Sequence, residues 1–335
     1  MKWTQALIAG ALAAFSVAAV AQESVSIRIG HFLPPVSLTH TNMFVPMAEA
    51  LNKESGGRIK AKVYPGGSLG RSPAQQLQLV KDGVIDVSFI VQSYTPGEFP
   101  DNSVMELPLL MSDTLEASLV HQRMFERGLL RGYDSVKVLG LGTTSAYGLH
   151  LKFPFKGLDS LDGKKIRAAT GLQSEVVSAL GATPVGGIRV TQTSEALSRG
   201  VIDGTLLGWE SMGTFKVLPV TTDHVQVALG FTPLMVAMNK KKYESMPDDL
   251  KAVLDRFSGE WIATRMAENY EKTGSVALAK AEKSAQNTVI TPDSAIQKQL
   301  QAKLQPVIDK WTSEHPNAQA LLAALKEEAG KIRAK

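Results

Sequence analysis

The sequence predicts two α/β lobes, each a mostly parallel sheet flanked by helices, with strands crossing between them. Three observations lead to this fold class. Residues 24–90 alternate strand and amphipathic helix patterns in the β-α-β-α-β order typical of a parallel sheet. A helix–turn–strand unit at residues 79–89 is echoed at residues 197–207. No stretch rich in Pro, Gly or Ser separates the two halves, so we expect crossing strands rather than a flexible tether.

Each element follows from its local pattern. Alternating or short apolar runs bounded by turn residues predict strands. The predicted strands are Ser24–Ile29, Arg58–Val63, Val84–Ile90, Val136–Gly142, Ala146–Leu151, Lys164–Ala169, Thr183–Gly186, Val201–Leu207 and Phe231–Asn239. Apolar residues at helical spacing predict helices. The predicted helical segments are Asn42–Glu54, Ser72–Lys81, Thr114–Arg127, Ser174–Leu180, Ser194–Ser198, Pro247–Lys283 and, with a break near His315-Pro316, Asp293–Lys331.

The two echoed segments share the motif Gly-Val-Ile-Asp. Gly83 and Gly200 each stand where a helix ends and a left-handed residue is needed. The residues that follow, Val84–Ile90 and Val201–Leu207, have the apolar character of buried strands. The repeat favours two similar lobes, although a four-residue match is short enough to arise by chance.

The N-terminus has the pattern of a secretory signal peptide. Lys2 precedes the apolar stretch Ala6–Ala21, which is shorter than the ~20 residues that span a bilayer. Ala19-Val20-Ala21 is a cleavage signal, so we expect cutting before Gln22; the alternative is an uncleaved membrane anchor. We therefore expect a signal peptide at residues 1–21, lobe I at residues 22–148 plus 232–275, and lobe II at residues 149–231 plus 276–335.

Composition narrows the class of protein. The chain has 335 residues, 44% of them hydrophobic, which is enough for two lobes with substantial cores. The net charge is +4, but Lys and Arg are scattered and no run of five occurs, so we expect no nucleic-acid partner. The chain has no cysteine, which excludes disulfides, thiol catalysis and a lipoprotein anchor. An exported chain of this kind is typical of a soluble periplasmic protein.

Motifs for catalysis and for metal binding are weak. Gly66-Gly-Ser-Leu-Gly70 matches the G-x-S-x-G pattern of hydrolases, but Pro65 and two glycines precede Ser68 and no helix follows directly, so a turn is the better interpretation. The six histidines lack the close spacing of a zinc site. We expect no catalytic residue, no metal and no cofactor.

A ligand pocket is indicated by residues at strand ends. Arg167 lies near the end of a short strand, where α/β domains bind ligands and where a guanidinium can grip a carboxylate with two hydrogen bonds. The alternative is an exposed strand-end arginine. Aromatic residues at similar positions would provide an apolar pocket. The candidate binding residues are Arg167, Tyr147, Trp209, Leu207, Tyr94, Gln92, Phe32 and His31.

The chain resembles the substrate-binding proteins of TRAP transporters, the DctP-like family, over nearly all of its mature length. The matching segments are Tyr64-Pro-Gly-Gly-Ser-Leu-Gly70, Val80-Lys-Asp-Gly-Val-Ile-Asp86, Glu106-Leu-Pro-Leu-Leu110, Leu158-Asp-Ser-Leu-Asp-Gly-Lys-Lys-Ile-Arg167, Leu180-Gly-Ala-Thr-Pro-Val185, Glu195-Ala-Leu-Ser-Arg-Gly-Val-Ile-Asp-Gly204 and Tyr243–Leu254. The resemblance implies a two-lobed periplasmic binding protein fold with crossing strands and a long helix. It implies a monomeric receptor, not an enzyme, that delivers an organic acid to membrane subunits for import driven by an ion gradient.

The resemblance also assigns roles to residues. It implies that Arg167 pairs with the substrate carboxylate. Leu207 stands where many members have a substrate-binding Asn, and Tyr147 stands where some have a second arginine. With Trp209 nearby, these departures favour an aromatic or hydrophobic monocarboxylate. His31 and Arg189 are the groups that could balance a second carboxylate.

Three alternatives stay open from the sequence. A C4-dicarboxylate receptor of the same family is the nearest alternative. A ligand receptor for a signalling system would have the same pocket with a different partner. A secreted hydrolase using Ser68 is the enzyme alternative, and it lacks a credible triad.

Overall fold

A computed structural model describes residues 23–95 and 97–334 of the chain. The predicted signal peptide lies outside these residues. In chain order the strands are β1 (Val25–Gly30), β2 (Ile59–Tyr64), β3 (Val87–Val91), β4 (Val136–Thr143), β5 (Gly148–Leu151), β6 (Lys165–Arg167), β7 (Thr183–Val185), β8 (Gly204–Leu207), β9 (Asp223–Val225), β10 (Pro233–Asn239) and β11 (Thr288–Ile290).

The helices pack against the strands of the two sheets. They are α1 (Val45–Glu54), α2 (Gln76–Lys81), α3 (Thr114–Glu126), α4 (Gly171–Ala179), α5 (Thr193–Ser198), α6 (Trp209–Thr214), α7 (Lys240–Glu244), α8 (Asp248–Asp255), α9 (Glu260–Glu282), α10 (Ser294–Glu314) and α11 (Ala318–Arg333). A π-helical turn, His40–Phe44, leads into α1, and the 3₁₀ segment Pro100–Glu106 follows β3.

The strands form two sheets of matching topology. Sheet I has the order β2-β1-β3-β10-β4, and sheet II, followed in the same sense, has the order β7-β6-β8-β5-β9-β11. In each sheet the first three strands are parallel and the fourth is antiparallel to its neighbours. The predicted fold class of two mostly parallel α/β lobes is confirmed.

The antiparallel strand of each sheet is the one that crosses between lobes. The chain passes from β4 of sheet I into β5 of sheet II, and from β9 of sheet II into β10 of sheet I. The two connections run side by side, because Thr144 N donates to Thr232 O over 3.0 Å and Tyr147 N donates to Gly230 O over 2.9 Å. The long helix α9 also joins the lobes, since it packs on α3 and β4 at one end and on α6 at the other.

The repeated Gly-Val-Ile-Asp motif forms the same turn in both lobes. Gly83 and Gly200 both have φ of +70°. Gly83 N donates to Val80 O and Val84 N to Leu79 O, and the second copy repeats both bonds with the residues at the same spacing. This is the hydrogen-bond pattern of a Schellman helix end, as the sequence predicted.

The aspartate of each motif joins the neighbouring parallel strand. Asp86 N donates to Arg28 O, while the Asp86 carboxylate accepts from Arg28 N over 2.7 Å. Asp203 N likewise donates to Lys165 O, and its carboxylate accepts from Lys165 N over 2.9 Å. Each aspartate carboxylate therefore takes the place of a backbone acceptor next to the neighbouring strand, just before β3 or β8 begins.

The prediction that two strands start at Val84 and Val201 is wrong, because the aspartates form the first contacts with the neighbouring strands. Both valines follow the glycine of the Schellman turn and are 44% and 49% exposed. The strands begin three residues later, at Val87 and Gly204, after the aspartates have been placed.

The long helical region predicted at residues 247–283 is two helices. Gly259 separates α8 from α9 with φ of +63°, and its N–H donates to Leu139 O over 2.6 Å. The short strands β9 and β11 and the helix α6 were not predicted, because three-residue strands and six-residue helices carry too little periodicity.

The C-terminal helix returns to lobe I. Residues 276–335 are predicted to belong to lobe II, yet α11 packs on α3. Leu321 and Leu325 belong to the same buried cluster as α3 residues, and Arg333 pairs with Glu116 over 2.6 Å. The other lobe boundaries stay a prediction. Among the helices of the described residues, none combines the length and hydropathy that crossing a bilayer requires.

Candidate functional site

One apolar cluster includes residues from the carboxyl ends of parallel strands in both sheets. Phe32 follows β1 of sheet I, and Leu207 ends β8 of sheet II. Both are buried and belong to the same contiguous apolar cluster, against which the half-buried Tyr94 and Trp209 pack. Four of the predicted pocket residues therefore belong to, or pack against, one large apolar cluster that includes residues of both lobes, and their contact with a ligand stays a prediction.

Arg167 is the last residue of β6 and is only 1% exposed. The alternative of an exposed strand-end arginine is therefore wrong. Its Nε donates to the carbonyl of Ile188 over 2.8 Å. Within the described ranges this is the one hydrogen bond of its side chain, and the guanidinium has no ion pair. The two terminal NH₂ groups have no acceptor among the described residues and are not fully closed off from solvent, so they are available to bind an anion.

Tyr147 lies in the crossing connection just before β5 and is buried. Its hydroxyl is 2.8 Å from Thr232 Oγ1 in the other crossing connection. Burial, reinforced by the nearby Glu106 carboxyl, raises the pKa of Tyr147 well above its usual range. The residue that stands in the place of a second arginine is thus a neutral phenol.

Leu207 is fixed by a histidine that sequence reasoning missed. His150 of β5 lies 3.1 Å from the Leu207 carbonyl through Nε2, so Nε2 carries the proton and donates. Its Nδ1 is 2.9 Å from Nδ1 of His224 in β9. Burial, and then the neighbouring His224, lowers the pKa of His150 to about 3, so the ring is neutral.

Trp209, the first residue of α6, packs on both histidines. Its ring centroid is 5.0 Å from that of His150 and 5.1 Å from that of His224. The only sequence signal for this arrangement is two histidines in separate strands. Their pairing depends on β5 and β9 being neighbours, which the sequence does not reveal.

The lobe I candidates differ in their surroundings. His31 is buried, stacks on Phe44 with ring centroids 4.9 Å apart, and lies 3.0 Å from His40 Nδ1 through its Nε2. Burial, and then His40, lowers the pKa of His31 to about 3. Its ring is therefore an uncharged part of the lobe I core.

Phe32 and Gln92 also have defined partners in lobe I. The Phe32 ring packs 5.7 Å from that of Phe89. Gln92 is buried and donates from Nε2 to the Tyr133 hydroxyl over 2.8 Å. The Gln92 Nε2 is therefore engaged within lobe I, while the Gln92 Oε1 is buried without a hydrogen-bond partner among the described residues.

The described residues contain no cluster of three or more His, Asp or Glu side chains placed to hold a metal ion. Ser68 lies in a tight turn, with Gly66 and Gly67 at φ of +66° and +73° and Ser68 N donating to Pro65 O. The turn interpretation of the G-x-S-x-G motif is confirmed.

We expect a ligand to change the relation between the lobes. The two crossing connections and α9 join them, so closure can occur by a hinge at residues 144–147 and 229–232. Small-angle scattering should give a smaller radius of gyration with a saturating organic acid ligand than without it. An unchanged scattering profile at saturation would contradict hinge closure.

A family model places the chain among known proteins. Residues 29–314 match the model of the DctP family, described as bacterial extracellular solute-binding protein, family 7. The protein TsaT of Comamonas testosteroni, named an outer membrane transporter protein, is 24% identical over 91% of this chain and 90% of its own length. The C4-dicarboxylate-binding periplasmic protein DctP of Rhodobacter capsulatus is 24% identical over 82% of this chain and 80% of its own.

Solved structures match the fold closely. One is a TRAP solute-binding protein of an unidentified microbe from a marine metagenome, described as specific for aromatic acid ligands and bound to 3-hydroxybenzoate. It is 29% identical to this chain with a TM-score of 0.85, and the match covers 92% of this chain and 99% of that one. One from Rhodoferax ferrireducens with copurified benzoate is 28% identical with a TM-score of 0.82, covering 93% and 99%.

The members of this family are substrate-binding receptors rather than enzymes, and they deliver organic acids to TRAP membrane subunits. The matching sheets, the crossing strands, the buried Arg167 and the family match over most of the chain lead to one assignment: the protein belongs to the family 7 extracellular solute-binding proteins, the periplasmic receptors of TRAP transporters.

Proposed function

We propose that this receptor binds an aromatic or hydrophobic monocarboxylate and delivers it to TRAP membrane subunits. The observation that carries the proposal is the Arg167 guanidinium, which is buried and has two NH₂ groups without a protein acceptor. A carboxylate is the planar anion that such a fork binds through two hydrogen bonds. The apolar cluster that contains Phe32 and Leu207, with Trp209 packed against it, would bury the body of the ligand.

A second ligand carboxylate would lack a buried cationic partner at His31, Arg189 and Tyr147. His31 is neutral, since its pKa is lowered to about 3. Arg189 is exposed, and Tyr147 is an uncharged phenol bonded to Thr232. Burying the second charge of succinate or malate without a cation is costly. The ligands bound by the two relatives that share 28% and 29% identity, benzoate and 3-hydroxybenzoate, support the same class.

Export through a cleavable signal peptide completes the proposal. Family membership supports the periplasm as the location. The apolar stretch Ala6–Ala21 and the cleavage signal at residues 19–21 support removal of residues 1–21. Mass spectrometry of the periplasmic protein should find Gln22 as its first residue.

We expect benzoate and 3-hydroxybenzoate to raise the melting temperature more than succinate or malate at equal concentration. A ligand that binds only the folded state stabilises it by about 2.7 kcal/mol at 100 times its Kd. Thermal shift with purified protein, followed by competition calorimetry, measures the order of affinities. If succinate or malate binds more tightly than every aromatic monoacid tested, the receptor belongs to the C4-dicarboxylate class.

A further inference from the structure

One buried carboxyl group connects lobe I to the loop that follows Arg167 in lobe II. Glu106, at the end of the 3₁₀ segment of lobe I, is 5% exposed. One of its oxygens accepts from the Ser93 hydroxyl, and the other accepts from the Thr170 hydroxyl over 2.5 Å. Ser93 follows β3 of sheet I, and Thr170 follows β6 of sheet II. The group thus ties together two strand ends, one from each sheet.

The surroundings of Glu106 are unusual for a structural carboxyl. Its hydrogen-bond partners are two neutral hydroxyls, and it forms no ion pair with any described residue. Burial raises its pKa, with the two hydroxyls opposing that effect. Burying a carboxyl without a cation opposes folding, so an uncharged residue would fill the same space at lower cost.

Glu106 acts on the loop that carries Arg167 into α4. The Thr170 hydroxyl caps α4 by accepting from Gln173 N over 3.1 Å. The Gln173 side chain in turn accepts from Ala169 N over 2.7 Å. A hydroxyl has a single proton to donate, so Glu106 determines where the Thr170 proton points. Residues 168–170, directly after Arg167, are therefore held from the lobe I side by Glu106.

The backbone of Glu106 is itself held at the crossing connections. Gly230 has φ of +117°, and a Cβ added there would lie 2.3 Å from the Glu106 carbonyl oxygen. The neighbouring Phe231 N donates to Met105 O over 3.0 Å. Glu106 therefore links the hinge region to the Arg167 loop through one short side chain.

We propose that Glu106 is a positioning residue for ligand binding: it holds Thr170 and thereby sets the Arg167 guanidinium for the ligand carboxylate. The proposal rests on the proposed function, since it takes Arg167 as the anchor. It extends that function by assigning a role to a lobe I residue that need not contact the ligand. Glu106→Ala removes both hydrogen bonds, whereas Glu106→Gln retains a group that can bond to both hydroxyls.

The first test measures the loop without any ligand. Hydrogen exchange of the Ala169 and Gln173 amides should be at least about 10-fold faster in Glu106→Ala than in the wild type, since exchange follows the free energy of local opening. Exchange in Glu106→Gln should be near that of the wild type. Unchanged exchange in Glu106→Ala would overturn the positioning role whether or not benzoate binds.

The second test is a double-mutant cycle with benzoate as the probe. Glu106→Ala should weaken benzoate binding about 10-fold in the wild-type background and have little effect in Arg167→Ala, because coupled residues are not additive. An equal loss in both backgrounds would mean a general structural role and would overturn the proposal. If the wild-type protein binds neither benzoate nor any other aromatic monoacid tested, the proposed function is contradicted instead, and the exchange measurement still decides the role of Glu106.

Thr170 gives a matched pair should Glu106→Ala fail to fold. Asp and Asn both cap helices well, so Thr170→Asp and Thr170→Asn each keep the cap of α4. Only the Asn amide can donate to Glu106, while the Asp carboxylate repels it. Thr170→Asn should bind benzoate within about 3-fold of the wild type, and Thr170→Asp should lose about 10-fold or more. Equal affinities of the two variants would overturn the proposal.

Discussion

Arg167→Ala is expected to weaken benzoate binding by at least ~10-fold. A hydrogen bond to a charged group contributes about 1.5–3 kcal/mol, and each 1.4 kcal/mol is about tenfold in Kd. Arg167 has two NH₂ groups free for a ligand, so the loss can exceed that of a single bond. Isothermal calorimetry with benzoate measures the change directly.

Arg167→Lys tests the geometry of the contact separately from the charge. A lysine keeps one positive charge but cannot donate to the Ile188 carbonyl and grip a carboxylate with a planar fork at the same time. We therefore expect a clear loss of affinity in this variant as well. Arg189→Ala is the matched control, since Arg189 is an exposed arginine on the same lobe and should leave binding unchanged. Affinities near the wild-type value in both Arg167 variants would remove Arg167 from the site.

Gly230→Ala is expected to produce the largest loss of stability among single methyl additions near the site. Gly230 has φ of +117°, and an added Cβ would lie 2.3 Å from the Glu106 carbonyl oxygen. A side chain in such a backbone conformation costs about 1–3 kcal/mol. Overpacking against main chain that cannot move aside adds typically about 1–3 kcal/mol. Denaturant unfolding should report a decrease in the free energy of unfolding of about 2–5 kcal/mol.

Gly157→Ala separates backbone strain from steric conflict. Gly157 has φ of +103°, and nothing lies within 4 Å of a Cβ added there. Its substitution should cost only the conformational part, so Gly230→Ala should be the more destabilised variant by about 1–3 kcal/mol. Gly230→Ala should also weaken benzoate binding, because it displaces Glu106. Equal stabilities of the two variants would mean that the crossing connections yield easily.

Several features of the fold follow from local sequence. Gly83 and Gly200 end helices in the left-handed conformation because the adjacent residues cannot adopt it cheaply, and the structure has both at φ of +70°. The order of strands and helices in residues 24–90 predicted a parallel sheet, since parallel strands need helical crossovers. Arg167 at the end of a strand was predicted on the same basis. These are properties of short segments and of the order in which they occur.

Other features depend on which segments become neighbours. Val84 and Val201 have strand-like composition but are exposed, because Asp86 and Asp203 occupy the first ladder positions through contacts with β1 and β6. His150 contacts Leu207 and His224 only because β5 lies between β8 and β9.

By itself the sequence determined the fold class, the two-lobed repeat and Arg167 as the candidate anchor, because each depends on local pattern and chain order. Only the tertiary structure decided that Arg167 is buried with its terminal NH₂ groups free, that His31 is neutral, and that Glu106 joins Ser93 to Thr170 across the lobes. Burial and contacts between residues far apart in the chain set these properties, and side-chain type and spacing do not encode them individually.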